Sequence, residues 1–266
     1  MFEEGRLREC LPQFGMGTVL SFHPEVESTN DVAIDLAKNG APHGALVIAE
    51  AQTEGRGRRG RAWVTFPGSS LALSIVLRPK ALGANDWMRF HALGALAVVE
   101  ALQQYPLTPE IKWPNDVLLL GNKVAGILVE VFWEGEECDF VVLGIGMNVY
   151  EDTKLKEFPS NRPTISVMEA LGRKPDPYKL LLGILKGVSA WLPRIQHPAL
   201  IEKWQEKLAY LGCDIVLVGS PKEFSGKLLG LNEDGKLKIV DKNNKIVEIG
   251  IGDYQLRLQK DWAGAD

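Results

Sequence analysis

Between Gly55 and Arg61 the chain reads Gly-Arg-Gly-Arg-Arg-Gly-Arg, with Arg56, Arg58, Arg59 and Arg61 packed into seven residues. Glycines let a backbone bend sharply and approach a ligand. Guanidinium groups present forked donors that match carboxylate and phosphate oxygens two at a time. Such a loop is suited to closing over an anion. The letters also satisfy G-x-G-x-x-G, the dinucleotide-binding turn, but that turn needs a helix directly after it and an acidic residue about twenty positions on. Here Pro67, Gly68 and an apolar strand-like run follow, and Ile75 stands near where the acid belongs. The dinucleotide reading fails on context. Taken alone, the heptapeptide is equally a solvated basic turn or a nucleic-acid patch.

Other polar groups change the balance. In Ile-Lys-Trp-Pro-Asn-Asp-Val, proline after an aromatic fixes a turn, so Lys112, Asn115 and Asp116 are displayed around one bend. Ser28, Thr29 and Asn30 precede an amphipathic run, where hydroxyls and backbone N–H groups of a helix start can hold a polar ligand group; the same residues also serve as a helix cap. Asn148 follows Gly144 and Gly146 at the end of an apolar segment, an arrangement that also suits a close backbone crossing.

The elements that must position these groups follow from periodicity. Strands are predicted over "GTVLSFHPEV", "GALVIAEAQ", "SSLALSIVLRP", "EIKWPNDVLLL", "KVAGILVEVFW" and "CDFVVLGIGMNV", the fourth and fifth joined by a tight Gly121-Asn122 turn. Helices are predicted over "ESTNDVAIDLAKNGAPHG", capped by Ser28 or Thr29 and closed by Gly40, over the Ala- and Leu-rich "DWMRFHALGALAVVEALQQY", and roughly over 163–172, 177–192 and 198–210. From Gly212 the texture changes to short alternating runs broken by "EDG" and "KNN", which predicts a small antiparallel barrel. Hairpins without strict strand–helix alternation favour α+β over a doubly wound α/β fold.

Composition narrows the function classes. A formal net charge of −4 disfavours a general polyanion binder, leaving a local basic site on an acidic body. Cys10, Cys138 and Cys213 lie far apart, as in a cytoplasmic protein with reduced thiols, and the four histidines are scattered without metal-ligand spacing. No run approaches the length of a membrane span, and the amino terminus lacks a secretory h-region.

In this order, "ESTN", "QTEGRGRRGRAW", "KWPNDV", "KVAGILVE" and "GIGMNV" resemble the biotin protein ligases, and the likeness spans about residues 17–260. The resemblance implies a mixed sheet flanked by helices, like class II aminoacyl-tRNA synthetases, and an SH3-like C-terminal β-barrel. The expected division is a tail over 1–16, a catalytic domain over 17–211 and the barrel domain over 212–266. Sixteen residues before the first strand are too few for the N-terminal DNA-binding domain that many bacterial members carry, so the monofunctional type without DNA binding is expected. The implied reaction has two steps: biotin and Mg-ATP give biotinyl-5′-AMP and pyrophosphate, and a lysine of a biotin carboxyl carrier protein then takes the biotinyl group.

Bringing two anions together calls for positioning and for positive charge where charge develops. Arg58 and Lys112 are expected to supply it. The resemblance assigns biotin to Ser28, Thr29, Asn30, Gln52, Arg56, Gly57, Arg58, Lys112 and Gly126, and the nucleotide to Arg58, Arg61, Trp63, Asn115, Lys123 and Asn148. Asn115 and Asp116 are read as Mg²⁺ contacts, as aids to deprotonation of the incoming lysine, or as braces of the turn. Trp63 is read as packing on adenine or anchoring the loop, and Lys123 as facing phosphate or solvent. No metal is expected on a protein cluster; Mg²⁺ comes with ATP near Asp116. The chain is compatible with a homodimer. A lipoate-type ligase and a non-catalytic biotin or adenylate sensor are the alternative readings.

Overall fold

The computed structural model describes residues 1–266 except 64, 80–82, 84–85, 153–162, 220–222, 253 and 263–266. None of the expected site residues falls in these gaps. Twelve strands form two sheets among the described residues. The larger, seven-stranded and mixed, runs in the order β1 (Leu20–His23), β2 (Leu46–Ala49), β3 (Ser70–Leu77), β7 (Glu137–Asn148), β6 (Asn122–Glu134), β5 (Asp116–Leu119) and β4 (Glu110–Lys112). Only β1 and β2 pair in parallel; the other contacts are antiparallel. This is the expected α+β class.

Alternation sorts the two faces of this sheet. Leu71, Leu73, Ile75 and Leu77 of β3, with Val141, Leu143, Ile145 and Met147 of β7, point to one side, where α3 (Trp87–Leu102) and α5 (Pro177–Trp191) complete the main core. On the other side, α2 (Thr29–Lys38) lays Ala33, Ile34 and Ala37 on Val47, Val76, Phe140 and Val142. α2 covers only part of that face. Beyond it the strands carry small residues, and the sheet lies open.

Several local expectations are refined. "EIKWPNDVLLL" is not one strand: a cis Trp113–Pro114 bond turns the chain back, so that β4 and β5 pair antiparallel with Lys112 opposite Asp116. The following turn sits one residue earlier than expected, on Leu120 and Gly121, whose φ values of 51° and 76° are the left-handed pair a two-residue hairpin needs. Ser28 occupies the N-cap position without bonding its helix; instead the Thr29 N–H donates to Gln52 Oε1 at 2.7 Å. The leading segment, expected as a tail, holds α1 (Glu4–Cys10), and its Leu7 together with Leu11 is wholly buried in the main core. The expected helices near 163–172 and 198–210 are α4 (Val167–Leu171) and α6 (Ala199–Glu206), α4 opened by a Ser166–Glu169 capping box.

The smaller sheet is antiparallel, in the order β11 (Ile246–Ile249), β10 (Leu237–Val240), β9 (Phe224–Leu231), β8 (Asp214–Gly219) and β12 (Tyr254–Leu258). It is held against the first by polar bonds at defined points. Gln205 Oε1 accepts from the Leu231 N–H at 2.8 Å, the Trp113 indole donates to the Gly235 carbonyl at 3.0 Å, and Arg89 donates to the Glu233 carbonyl at 3.0 Å. No helix among the described residues is long and apolar enough to cross a membrane.

His91, in the middle of α3, is 2% exposed, meets Trp87 edge-on, and has no hydrogen-bond partner for its Nδ1 among the described residues. Burial, reinforced by the positive charge of Arg58, pushes the imidazole down to about 3. The unfolded chain protonates this group near pH 6.5 and the folded chain does not, so acid favours unfolding. The contribution is whole above pH 6.5 and is lost as pH falls toward 3, at about 1.4 kcal/mol per pH unit. Urea unfolding of wild type and of His91→Phe at pH 7 and pH 5 checks this: the wild type should lose about 2 kcal/mol more than the variant over that interval.

Candidate active site

The open part of the large sheet is the floor of a cavity of about 380 Å³. Register makes it. Ala72 of β3 lies opposite Gly146 of β7, Gly146 opposite Gly126 of β6, and Gly126 opposite Asp116 of β5, so one row across four strands carries almost no side-chain bulk. The next row holds Ser74, Gly144 and Leu128. The two-residue spacing of Gly144 and Gly146 puts both on the cavity face. A Cβ on Gly146 would overlap the Trp63 indole, and one on Gly144 would overlap Asn30 Oδ1.

The arginine stretch forms the roof. It is a small folded hairpin: the Trp63 N–H bonds the Gly55 carbonyl and the Gly57 N–H bonds the Arg61 carbonyl, each at 2.6 Å, and Arg56 bridges Ala62. Arg59 takes a left-handed φ of 63° at its tip. Trp63 folds back onto the floor, its indole against Gly126 and Gly146, with Lys123 Nζ 5.2 Å from its ring centroid. Its indole N–H is buried against Gly146 without a hydrogen-bond partner among the described residues.

One wall is a polar network. The Thr29 N–H and hydroxyl both donate to Gln52 Oε1, at 2.7 and 3.0 Å, and the Gln52 N–H donates to Thr65 Oγ1 at 2.6 Å. Ser74, wholly buried, stands 2.8 Å from Thr29 Oγ1 and 2.6 Å from Asn30 Oδ1. The opposite wall is the bend after β4. Asn115 is clamped to Ile127 by two bonds, the Ile127 N–H donating to its carbonyl at 2.8 Å and its Nδ2 donating to the Ile127 carbonyl at 3.0 Å. Asp116 is 6% exposed and pairs with Lys123 at 2.6 Å. The Arg58 guanidinium spans the space between walls, donating to Asn115 Oδ1 at 3.4 Å and to the Gly252 carbonyl at 2.8 Å.

The site draws together most of the residues expected of it. Ser28, Thr29, Asn30, Gln52, Arg56, Gly57, Arg58, Arg61, Trp63, Asn115, Asp116, Lys123, Gly126 and Asn148 all line the cavity. Lys112 does not: it is buried at the end of β4 with Nζ 5.7 Å from the Tyr210 ring centroid, outside the lining. Asn115 ties the bend to β6 through its two bonds with Ile127. Arg56, Arg58, Arg59, Arg61 and Lys123 face a single carboxylate, Asp116, among the described lining residues. An acidic chain thus holds a strongly cationic cavity, matched to an anionic ligand.

Sequence reasoning missed three groups of contributors. Ser74 is a hydroxyl within an otherwise apolar run, and its even spacing from Ala72 and Ser70 was the available signal. Asp31 and Glu130 hold Arg56 from outside the cavity, at 2.5 and 3.1 Å. The small sheet also reaches in: Tyr254, Gln255 and Leu256 line the cavity, and Gln255 accepts from Arg61 at 2.8 Å. No local pattern in the sequence announces a partner 194 positions away.

Comparison with known proteins agrees with this geometry. The model of the biotin/lipoate A/B protein ligase family matches residues 22–148, which hold the arginine loop and the floor strands. A biotin–[acetyl-CoA-carboxylase] ligase of Paracoccus denitrificans is 35% identical over 219 residues, covering 79% of this chain and 90% of that protein. The bifunctional ligase/repressor BirA of Bacillus subtilis is 32% identical over 264 residues, covering 95% of this chain and 80% of the relative. The biotin protein ligase of Aquifex aeolicus, solved in complex with biotin and ATP, superposes with a TM-score of 0.77 at 30% identity, covering 91% of this chain and all (100%) of the other. On its sequence motifs, its fold and these relatives, the chain belongs to the biotin protein ligases of the biotin/lipoate A/B protein ligase family.

Proposed function

We propose that this chain activates biotin with ATP, releasing pyrophosphate, and passes the biotinyl group from biotinyl-5′-AMP to a lysine of a biotin carboxyl carrier protein of a carboxylase. The observation that carries the reading is the pairing of a cationic roof, Arg56 to Arg61, with a bare floor at Gly126 and Gly146 and a neutral hydrogen-bonding wall at Ser28, Thr29, Asn30 and Gln52. The wall suits a polar, uncharged head group, and the cations suit a carboxylate and phosphates meeting nearby.

In the first step a biotin carboxylate oxygen bonds the α-phosphorus as the bond to the bridging oxygen of pyrophosphate breaks. Arg58 is assigned to the charge that gathers there, and Arg56 and Gly57 to wrapping the ligand. Trp63, Arg61, Lys123 and Asn148 are assigned to the nucleotide. Asn148 is 2% exposed and lines the cavity, and Gly126 and Gly146 make room for the Trp63 indole at its floor. Mg²⁺ would arrive with ATP; it favours phosphate oxygens and one or two carboxylates, and Asp116 is the carboxylate within the described lining. In the second step the lysine amine bonds the acyl carbon, AMP leaves, and the amine gives up a proton, for which Asp116 is the candidate acceptor once Lys123 turns to phosphate. The small sheet is assigned an SH3-like barrel and the large one a class II synthetase-like catalytic domain, divided at 211/212 after a leading segment over 1–16, in a cytoplasmic protein.

Incubation with biotin, MgATP and a carrier domain, followed by mass spectrometry, tests the whole reading: a biotinyl adduct on one lysine is expected, and pyrophosphate release that follows lipoate instead of biotin would overturn it. Arg58→Gly should release biotinyl-5′-AMP at least about ten-fold faster, the value of a charge-assisted bond; retention equal to wild type removes Arg58 as the clamp. Lys112→Ala should slow adenylate formation by about 10²-fold or more if its ammonium swings from Tyr210 to the developing charge. A loss of about ten-fold or less rejects that role.

A further inference from the structure

The hydrogen bonds of the polar wall do not stop at the cavity. From Gln52 through Thr29 and Ser74 they reach Asn30, and Asn30 Nδ2 donates to Glu130 Oε2 at 2.7 Å. Arg56 donates to the same oxygen at 3.1 Å and to Asp31 Oδ1 at 2.5 Å. Glu130 is on β6, on the same face as Gly126 and Leu128, four and two residues along from them, but outside the cavity lining.

An asparagine amide has a donor end and an acceptor end, and its own shape does not choose between them. The surroundings choose. A carboxylate accepts and never donates while ionised, so the Asn30 NH₂ must face Glu130 and the carbonyl oxygen must face Ser74. Ser74 has no solvent contact, and the space beside the Asn30 oxygen exists because Gly144 has no Cβ. At the other end of the wall the Thr29 N–H, which can only donate, fixes Gln52 with its oxygen inward. One obligate acceptor and one obligate donor therefore set the polarity of the wall. Arg56 makes the arrangement tolerable, because its charge offsets a carboxylate standing near an anion-binding cavity.

We propose that Glu130 is a positioning residue for the biotin head group: it fixes the Asn30 amide and thereby the donor and acceptor pattern shown to a cyclic urea. The proposal rests on reading the cavity as the biotin site. It assigns Glu130 no contact with the reacting atoms, so its loss acts on biotin affinity and leaves the chemistry in place.

Two variants separate this from a role in holding the arginine loop. Glu130→Gln keeps an acceptor for Asn30 and removes the charge that holds Arg56; Glu130→Leu removes both. Biotin binding without ATP is measured by calorimetry, and KM for biotin, KM for ATP and kcat by pyrophosphate release, with melting temperatures as a check on folding. Glu130→Leu should raise the biotin Kd and KM by about ten-fold or more, the cost of leaving a buried amide mis-paired, with kcat and the ATP KM within about three-fold. Glu130→Gln should stay within about three-fold of wild type in biotin Kd. Equal losses in both variants would show that charge on Arg56 is what counts and overturn the proposal. So would unchanged biotin binding in Glu130→Leu, or a fall in kcat that tracks the melting temperature. Failure of the wild type to bind biotin would remove the functional reading itself, and this proposal with it.

Discussion

A sheet face can hold a ligand only where neighbouring strands carry small residues at the same level, because side chains opposite one another stand about 5 Å apart and fill the space between them. In this chain that level is set by register. Gly126 and Gly146 share one hairpin while Ala72 comes from a distant segment, and the three meet at one level only because β3, β7 and β6 pair as they do. A slip of one residue would turn every side chain to the opposite face, placing Leu71, Ile145 and Ile127 on the floor and filling the cavity. The large apolar side chains on the α3 side are therefore what keep the site open: their burial pins the register that keeps the other face bare.

Charge is organised by the same economy. The chain as a whole carries a formal net charge of −4, yet the roof of the cavity is built from arginines. Guanidinium groups so close together repel, and the structure disperses them. Arg56 is drawn out to Asp31 and Glu130, Arg58 reaches across to Asn115 and the Gly252 carbonyl, and Arg61 is held by Gln255. Each is bonded at its edge, which keeps the hairpin folded over the cavity. Trp63 completes it by covering the floor strands, with Lys123 over its ring.

Much of this was legible in the sequence, for identifiable reasons. The strand and helix runs carried clean periodicity, and the polar motifs sat at element ends, so Ser28 to Asn30, Gln52, the arginine loop and Asn115 to Asp116 could be picked out, and the fold gathers them around one cavity. What was not legible was relative placement. "KWPND" reads as one display of polar groups, but the turn at Trp113–Pro114 sends Lys112 toward Tyr210 while Asn115 and Asp116 face the cavity. Glu130 looks like an ordinary solvent-facing position in an alternating strand, and its bond to Asn30 depends on where α2 begins. Leu7 and Leu11 gave too short a pattern to reveal that they enter the core.

The bonds from Arg58 to the Gly252 carbonyl, from Arg61 to Gln255 and from Trp113 to the Gly235 carbonyl tie roof, floor rim and small sheet into one unit. Their consequence is thermodynamic. If a ligand tightens the arginine hairpin, the same free energy must tighten the seating of the small sheet, since coupling between two equilibria is reciprocal. The Asn232–Lys236 turn, whose Gly235 carbonyl accepts from the indole of the cavity-lining Trp113, then becomes a remote gauge of occupancy. A change that loosens that turn would be felt as weaker retention at the site, without altering a single group that meets the ligand.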